Sequence, residues 1–222
     1  MKSLIALLSI FLPWPLRRAI LCRFLGYEIA STCRIGLSWI YPRKLVMKEG
    51  ARIGNLTICK SIDLLLMEES SFIGNGDWIT GYPTGLAVGH FDQQPDRRPE
   101  LILSRHAAIT NRHIIDCTDR IYLGPFATVA GFTSQLLTHS VNIENSRQEA
   151  YPINIGAYCF VGTNCVLLGG NSLPDYSVLG AKSLLNQSFT ESYFLYGGVP
   201  AKPIKAIHET SKYFHRPAGF II

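Results

Sequence analysis

The groups in this chain able to do acid–base or binding chemistry fall in four short stretches. QLLTHSVN places His139 directly after Thr138. An imidazole, with an ordinary pKa near 6.5, can accept a proton from an attacking hydroxyl at neutral pH. NRHIIDCTD gathers Asn111, His113, Asp116 and Asp119, donors and acceptors suited to holding a polyhydroxylated substrate. GYPTGLAVGHFDQQPDRRPE carries His90, Arg97 and Arg98 among turn formers. Near the C-terminus, GVPAKPIK presents Lys202 and Lys205, compact charges that suit phosphate. Taken as lone residues, all keep a plainer reading beside this one: a loop histidine, a solvated corner, a solvated tail.

Composition bounds what such groups could serve. Of 222 residues, 47% are hydrophobic and 17% charged, enough apolar material for a sizeable core and too little charge for wholesale disorder. The net charge of +5 is mild and scattered apart from Arg17/Arg18/Arg23 and Arg97/Arg98, so no nucleic-acid stripe forms. Anionic small molecules or membrane surfaces are the expected partners of that charge. The six cysteines form no C-x-x-C pair, which predicts reduced thiols, no metal site and a cytoplasmic setting.

The elements that must position these residues are legible in a six-residue rhythm. Ile155, Val161, Leu167, Leu173, Leu179 and Leu185 recur at strict spacing. The phase extends upstream through Met47 and Ile53, then Met67/Ile73/Ile79, Leu103/Ile109/Ile115 and Leu123/Val129/Gln135. Small residues tend to stand four places on, among them Ala51, Thr57, Ser71, Ala107, Ala127, Thr133, Cys159, Cys165, Ser177 and Ser183. If a hexad is one short strand plus a corner, three hexads close a triangular coil, and residues eighteen apart stack at about 4.8 Å. The large aliphatic then fills the core and the small residue fits the corner. The rhythm breaks over 80–102 and 136–154, with a smaller slip between Ile115 and Leu123. Excursions from a stiff scaffold are where binding groups concentrate, and they contain His90, Asp116, Asp119 and His139.

Three segments are expected: 1–30, an N-terminal amphipathic helical segment; 31–192, the solenoid with its two excursions; and 193–222, a tail. The stretch Leu4 to Leu16 is broken by Pro13 and Pro15 and is short for a bilayer span, and no small-x-small cleavage site follows Phe11. Leu16, Ile20, Leu21, Phe24 and Leu25 fall on one helical face, with Arg17, Arg18 and Arg23 largely off it. Such a helix either packs on the protein or lies at a membrane interface with Trp14 at the boundary.

The hexads, followed by LYGGVPAKPIK at 195–205, resemble those of the hexapeptide-repeat acyltransferases, such as the galactoside and maltose O-acetyltransferases and the bacterial polysaccharide O-acetyltransferases. The resemblance implies an all-β fold, a left-handed parallel β-helix, and an acetyl-CoA-dependent O-acetyltransferase acting on a sugar in cell-surface polysaccharide biosynthesis. It makes His139 the general base, Asn111 and Asp116 contacts to the acceptor, and Thr163 and Ala181 contacts to the pantetheine arm. Lys202 and Lys205 fall near the nucleotide phosphates, and His113 and His90 are further substrate candidates. A homotrimer is implied, with a donor site between neighbouring rods, possible peripheral membrane contact through the N-terminus, and no metal. The γ-class carbonic anhydrases share this fold and bind zinc through a His-x4-His pair, but six residues separate His106 from His113. An N-acyltransferase acting on an amino-sugar nucleotide and a non-catalytic β-helix scaffold are the alternatives.

Overall fold

The computed structural model describes residues 2–86, 89–219 and 221. Residues 28–206 wind into a parallel β-helix whose strands belong to three sheets, the faces of a triangular prism. Sheet 1 starts at Glu28–Ile29 and ends at Ser172–Leu173, and sheet 3 runs from Trp39–Tyr41 to Leu184–Leu185, with seven strands each. Sheet 2 begins at Arg34–Ile35 and has nine strands, because Phe194–Gly197 extends it in parallel and Lys202–Ala206 then folds back antiparallel. The last coil therefore reaches into the segment expected to be a tail.

The inward residues stack as the hexads require. Ile155 pairs with Leu173, Val161 with Leu179 and Leu167 with Leu185, each eighteen residues on. Met67, Ile73, Ile79, Leu103, Ile109 and Ile115 are wholly buried, and burial of each such side chain contributes about 1.5–3 kcal/mol relative to exposure. Corners are tight as well as small. A Cβ on Gly54 would lie 2.6 Å from the carbonyl oxygen of Gly74 one coil on, so a side chain there would collide with backbone.

Two departures from the expected phase have local causes. In the fifth coil Leu136 points inward and Gln135 outward, while Ser134 and not Thr133 fills the buried corner. The register between Ala108–Asn111 and Thr128–Phe132 shifts there, so one extra residue is absorbed before the corner. The coils also begin earlier than Met47, at Ile29, Ile35 and Ile40, where five-residue spacing and then Cys59 disguise the repeat.

Helices Lys2–Leu8 and Trp14–Leu25 precede the first coil. Arg17, Leu21 and Leu25, spaced four apart, form the buried face of the second helix. The Arg17 guanidinium donates to the carbonyls of Ile35, Gly36 and Ser38, and Arg18 donates to Ile29 and Ala30. The helix thus packs on the protein, but with two arginines turned inward, whereas Leu16 and Phe24 are exposed. No helix among the described residues is long and apolar enough to cross a membrane.

The corner between sheets 1 and 2 carries an aromatic ladder: His106 on Phe126, Phe126 on Tyr158, Tyr158 on Tyr176 and Tyr176 on Tyr193, with centroids 4.5–5.5 Å apart. All five have positive φ, a strained conformation for side chains of this size; stacking offsets part of that cost. The C-terminal segment straps across the ladder, with the Arg216 guanidinium 3.9 Å from the Tyr213 ring centroid and donating to the Phe126 carbonyl.

Candidate functional site

His139 stands where sheet 3 turns toward sheet 1, at the foot of an antiparallel hairpin, His139–Asn142 with Arg147–Ala150. One coil earlier at the same corner, Asp116 ends the strand Ile114–Asp116, which pairs with Gln135–Leu137. The Asp116 Oδ2 lies 3.8 Å from His139 Nδ1. Its Oδ1 is held by the Thr118 amide (2.8 Å) and hydroxyl (2.6 Å), so the carboxylate is fixed before it meets the ring. Thr138 donates to the Asp116 carbonyl and accepts from the Asp119 amide, tying the two coils together beside the histidine. A carboxylate at Nδ1 favours the tautomer with hydrogen on that nitrogen and leaves the Nε2 lone pair as the basic site. Nε2 is shielded from solvent and has no hydrogen-bond partner among the described residues.

The other flank of the imidazole is formed by a residue that the repeat gives no means of finding. Phe91, from the 80–102 excursion, meets the His139 ring edge to face at 5.5 Å between centroids. Phe91 is buried with φ of 66°, and the Arg97 guanidinium sits 4.3 Å from its ring centroid. Arg97 is itself held by the carbonyls of Tyr82 and Thr118. Gln94 bonds the amide and carbonyl of Ala150, and Gln93 bonds the carbonyl of Gln148, locking the two excursions together. Asp63 anchors the base of the first excursion through Thr84 and Arg43. His90 is exposed and contacts Tyr82 at 5.6 Å between rings; it shares the loop but does not touch His139.

The remaining candidates lie elsewhere. His113, a substrate candidate from the sequence, is 1% exposed at the corner between sheets 2 and 3. Its Nδ1 accepts from the Ser134 amide and its Nε2 meets the Thr110 hydroxyl, so both ring nitrogens are occupied by protein. Burial pushes its pKa down to about 4. Asn111 occupies the same corner, where its side-chain oxygen accepts from the Asn75 amide and side chain. It is thus at the opposite end of the sheet 3 strand from Asp116, and the structure does not bring it to His139. His106 belongs to the aromatic ladder, and among the described residues no cluster of three metal-ligating side chains forms.

Thr163 and Ala181 lie on successive coils of that same corner, and both are exposed. The Thr163 hydroxyl donates to the Phe132 carbonyl and accepts its amide, each at 3.0 Å, while its own carbonyl accepts from Lys182. The next level is Gly197 and Gly198, and Lys202 pairs with Gly197. Lys202 and Lys205 are exposed on the terminal strand. A ridge of small residues therefore ends at two exposed lysines.

No family model matches the chain. In sequence it is similar to the galactoside O-acetyltransferase of Escherichia coli strain K12, with 24% identity over 156 residues, 68% of this chain and 71% of that relative. In fold it is similar to the polysialic acid O-acetyltransferase OatWY, with a TM-score of 0.61 and 16% identity over 84% of this chain and 90% of that one. A further solved structure, a mutant of AntD, an N-acyltransferase from Bacillus cereus in complex with dTDP and Coenzyme A, matches with a TM-score of 0.48 and 14% identity, covering 82% and 81%. The fold is the left-handed parallel β-helix of the hexapeptide repeats.

Two outcomes follow from this geometry. Asp116→Asn should lower kcat by tenfold or more, at the low end of acid–base effects of about 10²-fold, with the donor KM unchanged; steady-state kinetics with the donor varied checks it. The second concerns Asp77, buried beside His113, whose Oδ1 accepts the His113 amide and whose Oδ2 has no partner. Burial raises its pKa to about 7. Between the ordinary carboxyl value near 3.9 and 7 the unfolded chain loses the proton while the folded chain keeps it, so Asp77 costs stability as pH rises through that window. His113 acts in the opposite sense, stabilising above 6.5 and losing that contribution as pH falls toward 4. Thermal midpoints of Asp77→Asn and of the unsubstituted protein should therefore diverge with pH across this window, the substitution becoming relatively more favourable as pH rises.

Proposed function

We propose that this chain, a hexapeptide-repeat acyltransferase, carries an acetyl group from acetyl-CoA to a sugar hydroxyl with His139 as general base. The observation that carries the reading is the imidazole held between Asp116 and Phe91 with an unpartnered Nε2. Nε2 removes the hydroxyl proton as the oxygen attacks the thioester carbonyl. Collapse of the tetrahedral adduct breaks the carbon–sulfur bond, and the imidazolium returns the proton to the departing thiolate. The thioester is already activated, so one transfer within a ternary complex suffices. Likeness to an enzyme named for galactosides favours a sugar acceptor, and cell-surface polysaccharide biosynthesis is the setting that suits it.

The donor is placed along the ridge of Thr163 and Ala181, with its phosphates toward Lys202 and Lys205. Small corner residues let an extended arm approach the backbone, and the lysines supply point charges. Within one chain this ridge and His139 are separated by the width of sheet 3, roughly 17 Å for five extended residues. The outward ladder of that face is Trp39, Ile58, Trp78, Ile114, Gln135, Val166 and Leu184, mostly apolar, with Trp78 and Ile114 over 40% exposed. Both features support a homotrimer in which one copy's ridge meets a neighbour's histidine.

For location we infer the cytoplasmic face of a membrane. Leu4, Leu7, Leu8, Phe11, Leu16 and Phe24 are all exposed on the N-terminal segment, and the chain carries +5. A lipid-linked sugar acceptor would be reached from there.

Acetyl-CoA incubated with a panel of sugars and amino sugars, read by thiol release, tests the reaction. His139→Ala should lower turnover by about 10²–10⁴-fold with acetyl-CoA affinity nearly unchanged, and turnover like the unsubstituted protein's removes His139 from the mechanism. Lys202→Ala with Lys205→Ala should raise the acetyl-CoA KM while leaving kcat mostly intact, as expected of binding that is equal in ground and transition states. An unchanged KM returns both lysines to the solvated tail.

A further inference from the structure

A cleft of about 480 Å³ opens between the N-terminal segment and the first two coils of sheet 2. Arg17, Arg34 and Arg52 line it, and none of its lining residues is acidic. Arg34 and Arg52 are paired neighbours on adjacent strands, with both side chains outward and exposed. Among the described residues neither guanidinium has a hydrogen bond or an ion pair. Arg17, 3% exposed, is fixed at the base by three carbonyls, and its Nε has no partner. Trp14 and Pro13, at the start of a twelve-residue helix, form another wall, which adds the positive end of the helix dipole. Like charges set side by side without counter-ions repel, an arrangement that an anion relieves.

The rim of this cleft is apolar. Phe11 stands between the lining residues Ile10 and Leu12 and is 83% exposed. Leu37 lines the cleft at 60% exposure, and its carbonyl accepts the amide of Leu56, itself 76% exposed. Exposed cations beside exposed Phe and Leu side chains match an amphiphile with an anionic head and hydrocarbon tails. A soluble anion would gain nothing from that rim.

We propose that this cleft binds the phosphate headgroup of an anionic membrane lipid, through Arg34 and Arg52, with Phe11 and Leu37 beside the acyl chains. The inference rests on the membrane-facing reading of the N-terminal segment given above. Arg17 and Arg18 are committed to backbone carbonyls, so the phosphate contacts fall to Arg34 and Arg52. The site lies three to four coils from His139, on the face opposite its corner, so it positions the enzyme and leaves the reaction untouched.

The test is co-sedimentation of the full-length protein with vesicles of phosphatidylcholine alone or mixed with phosphatidylglycerol, with thermal midpoints recorded as a folding control. The unsubstituted protein should favour the mixed vesicles. Arg34→Gln with Arg52→Gln should weaken binding to the mixed vesicles about tenfold, leave the smaller binding to phosphatidylcholine in place, and leave the transfer reaction unaltered. Arg34→Lys with Arg52→Lys should retain most of the preference. If the glutamine variant binds mixed vesicles as well as the unsubstituted protein, the cleft is not a lipid site, although the membrane-facing reading stands. If the unsubstituted protein binds neither vesicle, that reading falls and this proposal with it. If inorganic phosphate raises the thermal midpoint only when the arginines are present, and vesicle binding ignores them, the cleft belongs to a soluble phosphate and the lipid assignment is overturned.

Discussion

Each coil of this protein must return to within one strand spacing of the coil before it, about 4.8 Å, and nearly every other feature answers to that constraint. Backbone packed so closely leaves room at the inward-facing corner positions only for glycine or a small side chain, as the space around Gly54 shows, while outward corner positions can carry the aromatic ladder. It also fixes what cannot stay in the wall. Extra residues either bulge by one, as before Ser134, or leave the prism between Thr80 and Glu100 and again as the 139–150 hairpin. Both large excursions leave at the corner between sheets 3 and 1. The rigid stack sets their feet apart by whole coils, and the loops themselves close the gap through Gln93 and Gln94.

That division explains what could be read from the sequence. Inward residues obey a period because the stack forces one on them, so the core from Met47 onward was legible. The first coil was hidden by Cys59 and by five-residue spacing from Ile35 to Ile40, which the fold tolerates because a corner can be one residue shorter. Gln135 was assigned inward because a one-residue bulge leaves no mark on composition. His139 and Asp116 stood at breaks in the rhythm, and the structure places them 3.8 Å apart. His113 stood near a break as well, yet it is sealed inside a corner with both nitrogens satisfied. Nothing in its neighbours distinguishes it from a substrate ligand. Phe91 was beyond reach for a different reason: its contact with His139 depends on how an aperiodic loop of some twenty residues folds back.

The same geometry separates the two halves of the chemistry. On the proposed reading, the base His139 stands at the corner between sheets 3 and 1 and the donor ridge at the corner between sheets 2 and 3, so within one rod they are held apart by the width of sheet 3. Sheet 3 separates them and presents apolar residues outward, which is costly to leave in water. The proposed trimer answers both at once, since a second copy against that face would cover the ladder and bring its own ridge to the histidine.

Arginine use follows from position along the prism. The first coil has no coil before it to donate amides to its carbonyls, and Arg17 and Arg18 donate to those of Ile29, Ile35, Gly36 and Ser38. At the excursion, Arg97 serves two carbonyls and backs Phe91. At the far edge, Arg216 joins the tail to the aromatic ladder. Each is a planar donor matched to carbonyls in fixed positions, which lysine could not satisfy as well. Arg34 and Arg52 stand outside this pattern: at the starts of the first two strands of sheet 2 their side chains point outward and, among the described residues, make no hydrogen bond or ion pair, which leaves their charge to the lipid phosphate proposed for the cleft.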